Sequence, residues 1–198
     1  MTAKPAPWTV EGSRIEYADR FLRHRMDRCV TERGNILDPY HVIEFNDWCM
    51  VVALTEAGDL VLVEEYRHAA GEIVRGLPSG TVEPGEDPAE AMPRELLEET
   101  GYEGGQWVTL PTFWSNPATA NNTCHAYLAV GVTPTGAQKL DDGETIAVVV
   151  ADPAETLREI LSGDRKAHGL HIANLLLARD VARTAFASHP AAARMIGA

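Results

Sequence analysis

The sequence predicts an α+β fold, a mixed α/β sandwich with a sheet flanked by helices, preceded by a strand-rich extension. Three observations carry this reading. Runs of strand formers at 48–55 and 60–66 are joined by the turn Glu56-Ala57-Gly58-Asp59. Two stretches open alike, Asp87-Pro88-Ala89-Glu90 and Asp152-Pro153-Ala154-Glu155, the pattern of a helix with an acidic N-cap, proline at its first position and a capping-box variant. Near the end, Leu170, Ala173, Leu177 and Val181 recur at helical spacing.

Taken in order, residues 1–13 are rich in Pro and Ala and read as a mobile segment or an arm. From Ile15 to Phe45, Leu22, Met26 and Val30 interleave with charged residues, Gly34-Asn35 reads as a turn, and 40–45 is a further candidate strand. This section is too small to bury a core alone, so it must pack on the main domain or on a second subunit. We therefore divide the chain into an extension, 1–45, expected to dimerise, and a main domain, 46–198. Beyond the first capped helix, 107–114, 124–132 and 145–150 are strand candidates. A helix from Asp152 stops near Gly163, and a last one runs over about 170–187. There is no long repeat or low-complexity tract.

The 198 residues, 45% hydrophobic, suit one domain with a core plus an extension. A net charge of −12 and a pI near 4.9 argue against a nucleic-acid backbone or an anionic membrane as main partner. Cys29, Cys49 and Cys124 are widely spaced and read as reduced thiols, not a disulfide frame or zinc site. With no signal-peptide pattern at the start and no long apolar run, the expected location is cytoplasmic.

The chemistry concentrates in 80–102. On a helix capped by Asp87 and ended by a left-handed Gly101, Glu95, Glu98 and Glu99 share one face about 100° wide. Ala89, Met92, Leu96 and Thr100 form an adjacent face for the core. Like charges so placed repel by roughly 0.2–0.5 kcal/mol per pair. One reading is a solvated acidic face. The other is an all-oxygen site for Mg²⁺ or Mn²⁺, favoured by the glycine-containing loop upstream, by Glu86 and by Arg94 beside the acids. Pro93 removes one backbone hydrogen bond and is expected to kink the helix or loosen its first turn, ahead of the acids.

Gly80, Glu86, Arg94, Glu95, Leu96, Glu98, Glu99, Gly101 and Tyr102 together resemble the Nudix box, Tyr102 replacing the usual aliphatic residue. The resemblance implies a Nudix fold and hydrolysis of nucleoside diphosphates linked to another moiety. Glu65-Tyr66-Arg67 followed by Gly76-Leu77-Pro78-Ser79-Gly80 is similar to the ADP-ribose and nucleoside diphosphate sugar pyrophosphatase branch. That branch also tends to carry a proline downstream of the box, here Pro117. Where its members often have Ser-Pro-Gly and a later Glu, this chain has Asn121-Asn122. The likeness covers about 46–187 and implies a homodimer.

The resemblance assigns Glu95, Glu98 and Glu99 as metal ligands with the Ser79 carbonyl, and Glu98 to catalysis as well. Arg94 and Glu86 are expected to orient these acids, Gly80 and Gly101 to shape the motif, and Arg67 and Pro117 to meet substrate. Arg67 can hold phosphate bidentately or simply form a surface ion pair. For the base that deprotonates water, the resemblance points to the acidic loop Asp141-Asp142-Gly143-Glu144, Glu144 ahead of Asp142; the other reading is a plain surface turn, with a box glutamate or metal hydroxide doing the work. The alternatives are a nucleoside triphosphate clean-up hydrolase and a non-catalytic nucleotide sensor. The sensor is disfavoured because every box acid is kept and no basic appendage is present.

Remaining features have plain readings. His168 and His171 stand at i, i+3 but lack a third ligand, so a surface or capping role is expected. Trp48, Trp107 and Trp114 can stack on a base, yet aromatics in strands are usually core. Ser79 has no nucleophile-elbow context.

Overall fold

The computed structural model describes residues 4–136 and 138–197. They fall into two compact units, residues 1–47 with 114–123, and 48–113 with 124–198.

The first unit is built on an antiparallel sheet of β1 (Thr9–Ala18), β2 (Arg23–Val30) and β3 (Ile36–Glu44), in that order. Regular structure thus begins at Thr9, inside the segment expected to be mobile or an arm. Asp19 turns the chain between β1 and β2 by accepting from the Phe21 and Leu22 amides with its Oδ1. The turn at Gly34 (φ 80°) closes the next hairpin. Residues 114–123 join this unit by backbone and side-chain bonds. The Ile43 amide donates to Thr119 O (2.7 Å), the Tyr40 hydroxyl to Ala118 O (2.7 Å), and the Thr123 amide to Asp47 Oδ1 (2.7 Å). Asn121, at the position where the sequence departs from the branch pattern, accepts from the Phe45 amide with its Oδ1 (3.3 Å).

The second unit is centred on β4 (Trp48–Thr55) and β5 (Leu60–Arg67), with β6 (Glu72–Gly76), β7 (Ser79–Thr81), α1 (Pro88–Thr100), β8 (Tyr102–Thr109), the two-residue β9 (Phe113–Trp114), β10 (Thr123–Pro134), β11 (Ile146–Ala151), α2 (Pro153–Ser162), α3 (Gly169–Ala185) and α4 (Ala193–Ile196). The expected strand at 107–114 is really β8, which starts earlier, and β9. Sheet order is β11-β5-β4-β10-β8, with β6 added to β5 and β7 to β4. β4 and β10 are parallel and the other pairings antiparallel. This is the mixed sheet flanked by helices that the sequence predicts.

The apolar run of β4 follows from burial on both faces. Cys49, Val51 and Ala53 point to one core cluster with Met92 and Leu96 of α1. Val52 and Leu54 point to the other, with Leu157 of α2 and Leu175, Ala178 and Ala182 of α3. On α1 the buried face is Ala91, Met92, Leu96, Glu99 and Thr100; Ala89 is exposed, contrary to the expected stripe. The helix runs unbroken through Pro93 as the sequence alone did not suggest, and Gly101 (φ 70°) ends it, its amide donating to Leu97 O (2.8 Å). Asp87 caps the Ala89 amide, whereas Asp152 caps the amide of Glu155.

The expected stripe of α3 is displaced by one residue. Its buried positions are His171, Asn174, Leu175, Ala178 and Ala182, while Leu170, Ala173, Leu177 and Val181 are only half-buried. Two polar residues therefore face the core, which hydrophobic periodicity cannot register. The C-terminal segment packs on the β4–β5 turn, where a Cβ on Gly58 would lie 2.7 Å from Ala191 O, and Arg194 ion-pairs with Asp59 and Asp152. Among the described residues, no helix is long and apolar enough to cross a membrane.

His171 is not on the surface, as the sequence reading expected. It is 8% exposed, and its Nδ1 accepts from the Leu77 amide (3.2 Å). Burial above all, then the neighbouring His168 and Arg67, pushes its pKa down from 6.5 to about 3. The unfolded chain therefore takes up this proton first, so the stabilisation is complete above pH 6.5 and is lost as pH falls towards about 3. In that window His171 should contribute a stability loss of up to about 1.4 kcal/mol per pH unit. Urea unfolding of wild type and His171→Asn at a series of pH values checks this; the variant should lose that component of the acid dependence.

Candidate active site

The site grows from a turn and a helix. Glu83-Pro84-Gly85-Glu86 has proline and then a left-handed glycine (φ 87°) at its centre, and the Glu86 amide closes it on Glu83 O (2.9 Å). Glu86 Oε2 accepts from the Glu83 amide in return (2.9 Å). This holds the Glu86 carboxylate in front of α1, where Arg94 grips both its oxygens through Nε and Nη2, each at 3.0 Å. The Arg94 bond and the Glu83 amide keep the Glu86 pKa below the usual carboxylate range.

Arg94 then reaches the acidic row. Its Nη1 donates to Glu95 Oε1 (2.9 Å) and Glu98 Oε2 (3.0 Å). Glu99, the buried member, accepts from the Ser79 amide with Oε2 (2.9 Å). Burial, and next the charges of Glu95, Glu65 and Glu144, push Glu99 up to about 8 against the pull of that amide. Glu95 is raised too, by burial first, with Arg94 opposing. Among the described residues no three acids already surround a common point; Arg94 and the Ser79 amide share them out instead.

Gly80 is required by this geometry. A Cβ there would lie 2.1 Å from the Glu95 carboxyl carbon, so the acid occupies the space a side chain would fill. Cys49 lies behind, its Sγ 3.7 Å from Gly80 O, and its thiol is pushed up to about 12 by burial and the charge of Glu95. It is an inert wall and no nucleophile.

A hard divalent cation fits these residues. The donor set is all oxygen, the Glu95 carboxylate fills the space over Gly80, and one arginine is shared among Glu86, Glu95 and Glu98 while Glu99 has a backbone amide. Glu95, Glu98 and Glu99 would hold such an ion.

Arg67, at the end of β5, is about half exposed and ion-pairs with Glu65. The sequence names Glu65 within the Glu65-Tyr66-Arg67 motif without giving it a role; burial raises its pKa, Arg67 opposes, and Glu144 adds to the rise. Its signal was its place two residues before Arg67 on one strand face. Glu144 turns back on its own loop, with Oε2 accepting from the Asp141 amide (3.1 Å) while its own amide donates to Asp141 O (2.9 Å). That loop is fastened to the end of α1. Gln138 Nε2 donates to Glu99 O (2.6 Å) and Ile146 O (3.2 Å), and the Lys139 amide donates to Glu98 O (2.9 Å). These bonds satisfy carbonyls that a helix end leaves open. The structure thus gathers Glu95, Glu98, Glu99, Ser79, Gly80, Glu86, Arg94, Arg67 and Glu144 in one unit. Pro117 belongs to the other unit, in the 114–123 segment.

Trp107 is partly buried against the α1-side cluster and donates its Nε1–H to Gly104 O (2.8 Å), while Trp114 is 67% exposed. His168 occupies the N-cap position of α3 without a side-chain cap bond.

Fold and site define a hydrolase-type carboxylate centre on a mixed sheet, and the comparisons agree. The NUDIX domain model matches residues 47–169, and the chain belongs to that family. It is 36% identical over 111 residues to the methanol dehydrogenase activator of Bacillus methanolicus, covering 56% of this chain and 60% of that one. It is 28% identical over 113 residues to the ADP-ribose pyrophosphatase of Bacillus subtilis (strain 168), covering 57% and 61%. The match thus spans about three fifths of each relative. In fold it resembles a crystal structure of an ADP compounds hydrolase, with TM-score 0.79, 20% identity, and coverage of 92% of this chain and 97% of that one.

Because a methyl group at Gly80 must push the Glu95 carboxyl off Arg94, Gly80→Ala should cost about 0.5–1.5 kcal/mol, the scale of the hydrogen bond lost. Gly12→Ala, whose added Cβ meets nothing within 4 Å, should change stability by less than about 0.5 kcal/mol. Urea unfolding of both variants measures the difference.

Proposed function

We infer that the chain hydrolyses the diphosphate bond of ADP-ribose or a related nucleoside diphosphate sugar, giving a nucleoside monophosphate and a sugar phosphate. The observation that carries this is the row Glu95, Glu98 and Glu99, set beside Ser79 and Gly80 and served by Arg94 and Glu86. Relatives named ADP-ribose pyrophosphatase support the substrate class. Mg²⁺ is the proposed cofactor, with Mn²⁺ able to replace it. A bound cation of this kind supplies neutralisation of the diphosphate charge and acidification of water.

The protein's own groups do the rest. Arg94 keeps Glu95 and Glu98 oriented, and Glu86 keeps Arg94 in place. The Ser79 amide aims the Glu99 carboxylate, and the Ser79 carbonyl adds a backbone oxygen. Arg67 can exchange Glu65 for a substrate phosphate, which offers the same bidentate geometry. Pro117 contributes to substrate recognition in this reading. Glu144, once released from the Asp141 amide, accepts a proton from the attacking water at a carboxylate oxygen.

The cytoplasm is the proposed location, supported by Cys29, Cys49 and Cys124 all being buried and outside any disulfide. The extension of residues 1–45 is the proposed dimerisation surface, and the main domain 46–198 the hydrolase. In the sheet of the extension the exposed Val10 and Leu37 are both in register with Cys29, apolar positions on one face suited to a second copy of the same chain.

A panel of nucleoside diphosphate sugars and nucleoside triphosphates with Mg²⁺, scored by monophosphate release, tests the reading. Glu99→Gln should lower kcat by about a hundredfold or more, and Glu144→Gln by about tenfold to a thousandfold with KM largely kept; Asp142→Asn should be near wild type. Wild-type rates in both glutamate variants would refute these assignments. In sedimentation at micromolar concentration the chain should run as a dimer, and a stable monomer would refute the interface.

A further inference from the structure

Beneath the site, α3 presents two polar side chains to a core that is largely apolar. His171 and Asn174 lie one helical turn apart, 8% and 0% exposed. The His171 Nδ1 accepts from the Leu77 amide (3.2 Å), so the ring is neutral and carries its proton on Nε2. Asn174 Nδ2 donates to Met50 O (3.4 Å), and its Oδ1 has no partner. Met50 is the register partner of Ser79, and the neighbouring Val51 amide donates to Pro78 O (3.1 Å). The Ser79 amide holds Glu99 (2.9 Å).

A continuous chain of bonds therefore runs from α3 through Leu77, Pro78 and Ser79 to the buried glutamate of α1. Gly76 marks how closely the parts fit. A Cβ there would lie 2.6 Å from His171 Nδ1, so this glycine admits the ring against the strand end. Polar groups placed in a core cost stability unless they are satisfied, and an apolar pair would fill the same space more cheaply. Asn174 is only half satisfied, so packing alone does not account for it.

We propose that His171 and Asn174 are positioning residues that hold the 77–79 segment in register, so that the Ser79 amide and carbonyl and the Glu99 carboxylate are set for a divalent cation. The proposal rests on the metal-dependent reading above, but its first readout does not.

The experiment compares wild type, His171→Leu, which removes the acceptor, and His171→Asn, whose Oδ1 can take its place. Hydrogen exchange at pH 7 without metal reads the Leu77 and Ser79 amides; Mn²⁺ titration by electron paramagnetic resonance reads the site. His171→Leu should speed exchange at both amides by at least tenfold and weaken Mn²⁺ binding by about tenfold. His171→Asn should restore both to within about threefold. In turnover, the half-saturating Mg²⁺ should rise in the leucine variant while KM for substrate stays within about threefold. If His171→Leu does not fold, Asn174→Ala is measured instead, with the same expectation.

Faster exchange at Leu77 alone, with Ser79 and Mn²⁺ affinity unchanged, would overturn the proposal and leave His171 a core residue. If wild type neither binds Mn²⁺ nor hydrolyses any substrate, the functional reading fails. Coupled loss of protection at Leu77 and Ser79 would still establish the positioning chain.

Discussion

Three carboxylates on one helical turn repel one another, the more so when partly buried, and the site of the second unit is arranged around that constraint. Arg94 is the internal answer, bonding Glu86 with two nitrogens and Glu95 and Glu98 with a third. It leaves Glu99 to a single backbone amide, and Glu99 accordingly has its pKa pushed up to about 8 by burial and its acidic neighbours. The imbalance defines the ligand class: compact, hard and doubly charged. Arg94 acts as a clamp whose position depends on the turn at Pro84-Gly85, so the loop before the helix is as much a part of the site as the helix.

The second theme is backbone approach. Gly80 gives its side-chain space to Glu95, and Gly76 gives its space to His171. One glycine thus brings an acid over the strand end from the α1 side, and the other brings an imidazole under it from the α3 side. Between them lie only residues 77–79. A short irregular segment held from both faces can present a carbonyl and an amide with little freedom, which is what positioning of a metal ligand requires. The β4 strand makes this possible because it is buried on both faces and anchors both layers at once.

The acidic loop before β11 has a different character. Glu144 is exposed and bonded within its own turn, while Gln138 and Lys139 pin the start of the loop to the last carbonyls of α1. The acidic row of α1 and the loop that carries Glu144 are thus tied together at one helix end.

The sequence by itself determined the elements whose instructions are local. Asp87 and Asp152 cap, Gly101 and Gly163 terminate, the 48–55 run is a strand, and the spacing of Glu95, Glu98 and Glu99 makes a shared face on any helix. Pairings between distant residues had no local signature. Ser79 with Glu99, Leu77 with His171 and Asn121 with Phe45 became bonds only when the sheet closed. The displaced stripe of α3 shows the reason. Hydrophobic periodicity registers apolar burial, whereas His171 and Asn174 are buried because the backbone across the interface offers them partners, and those partners are supplied by tertiary structure alone.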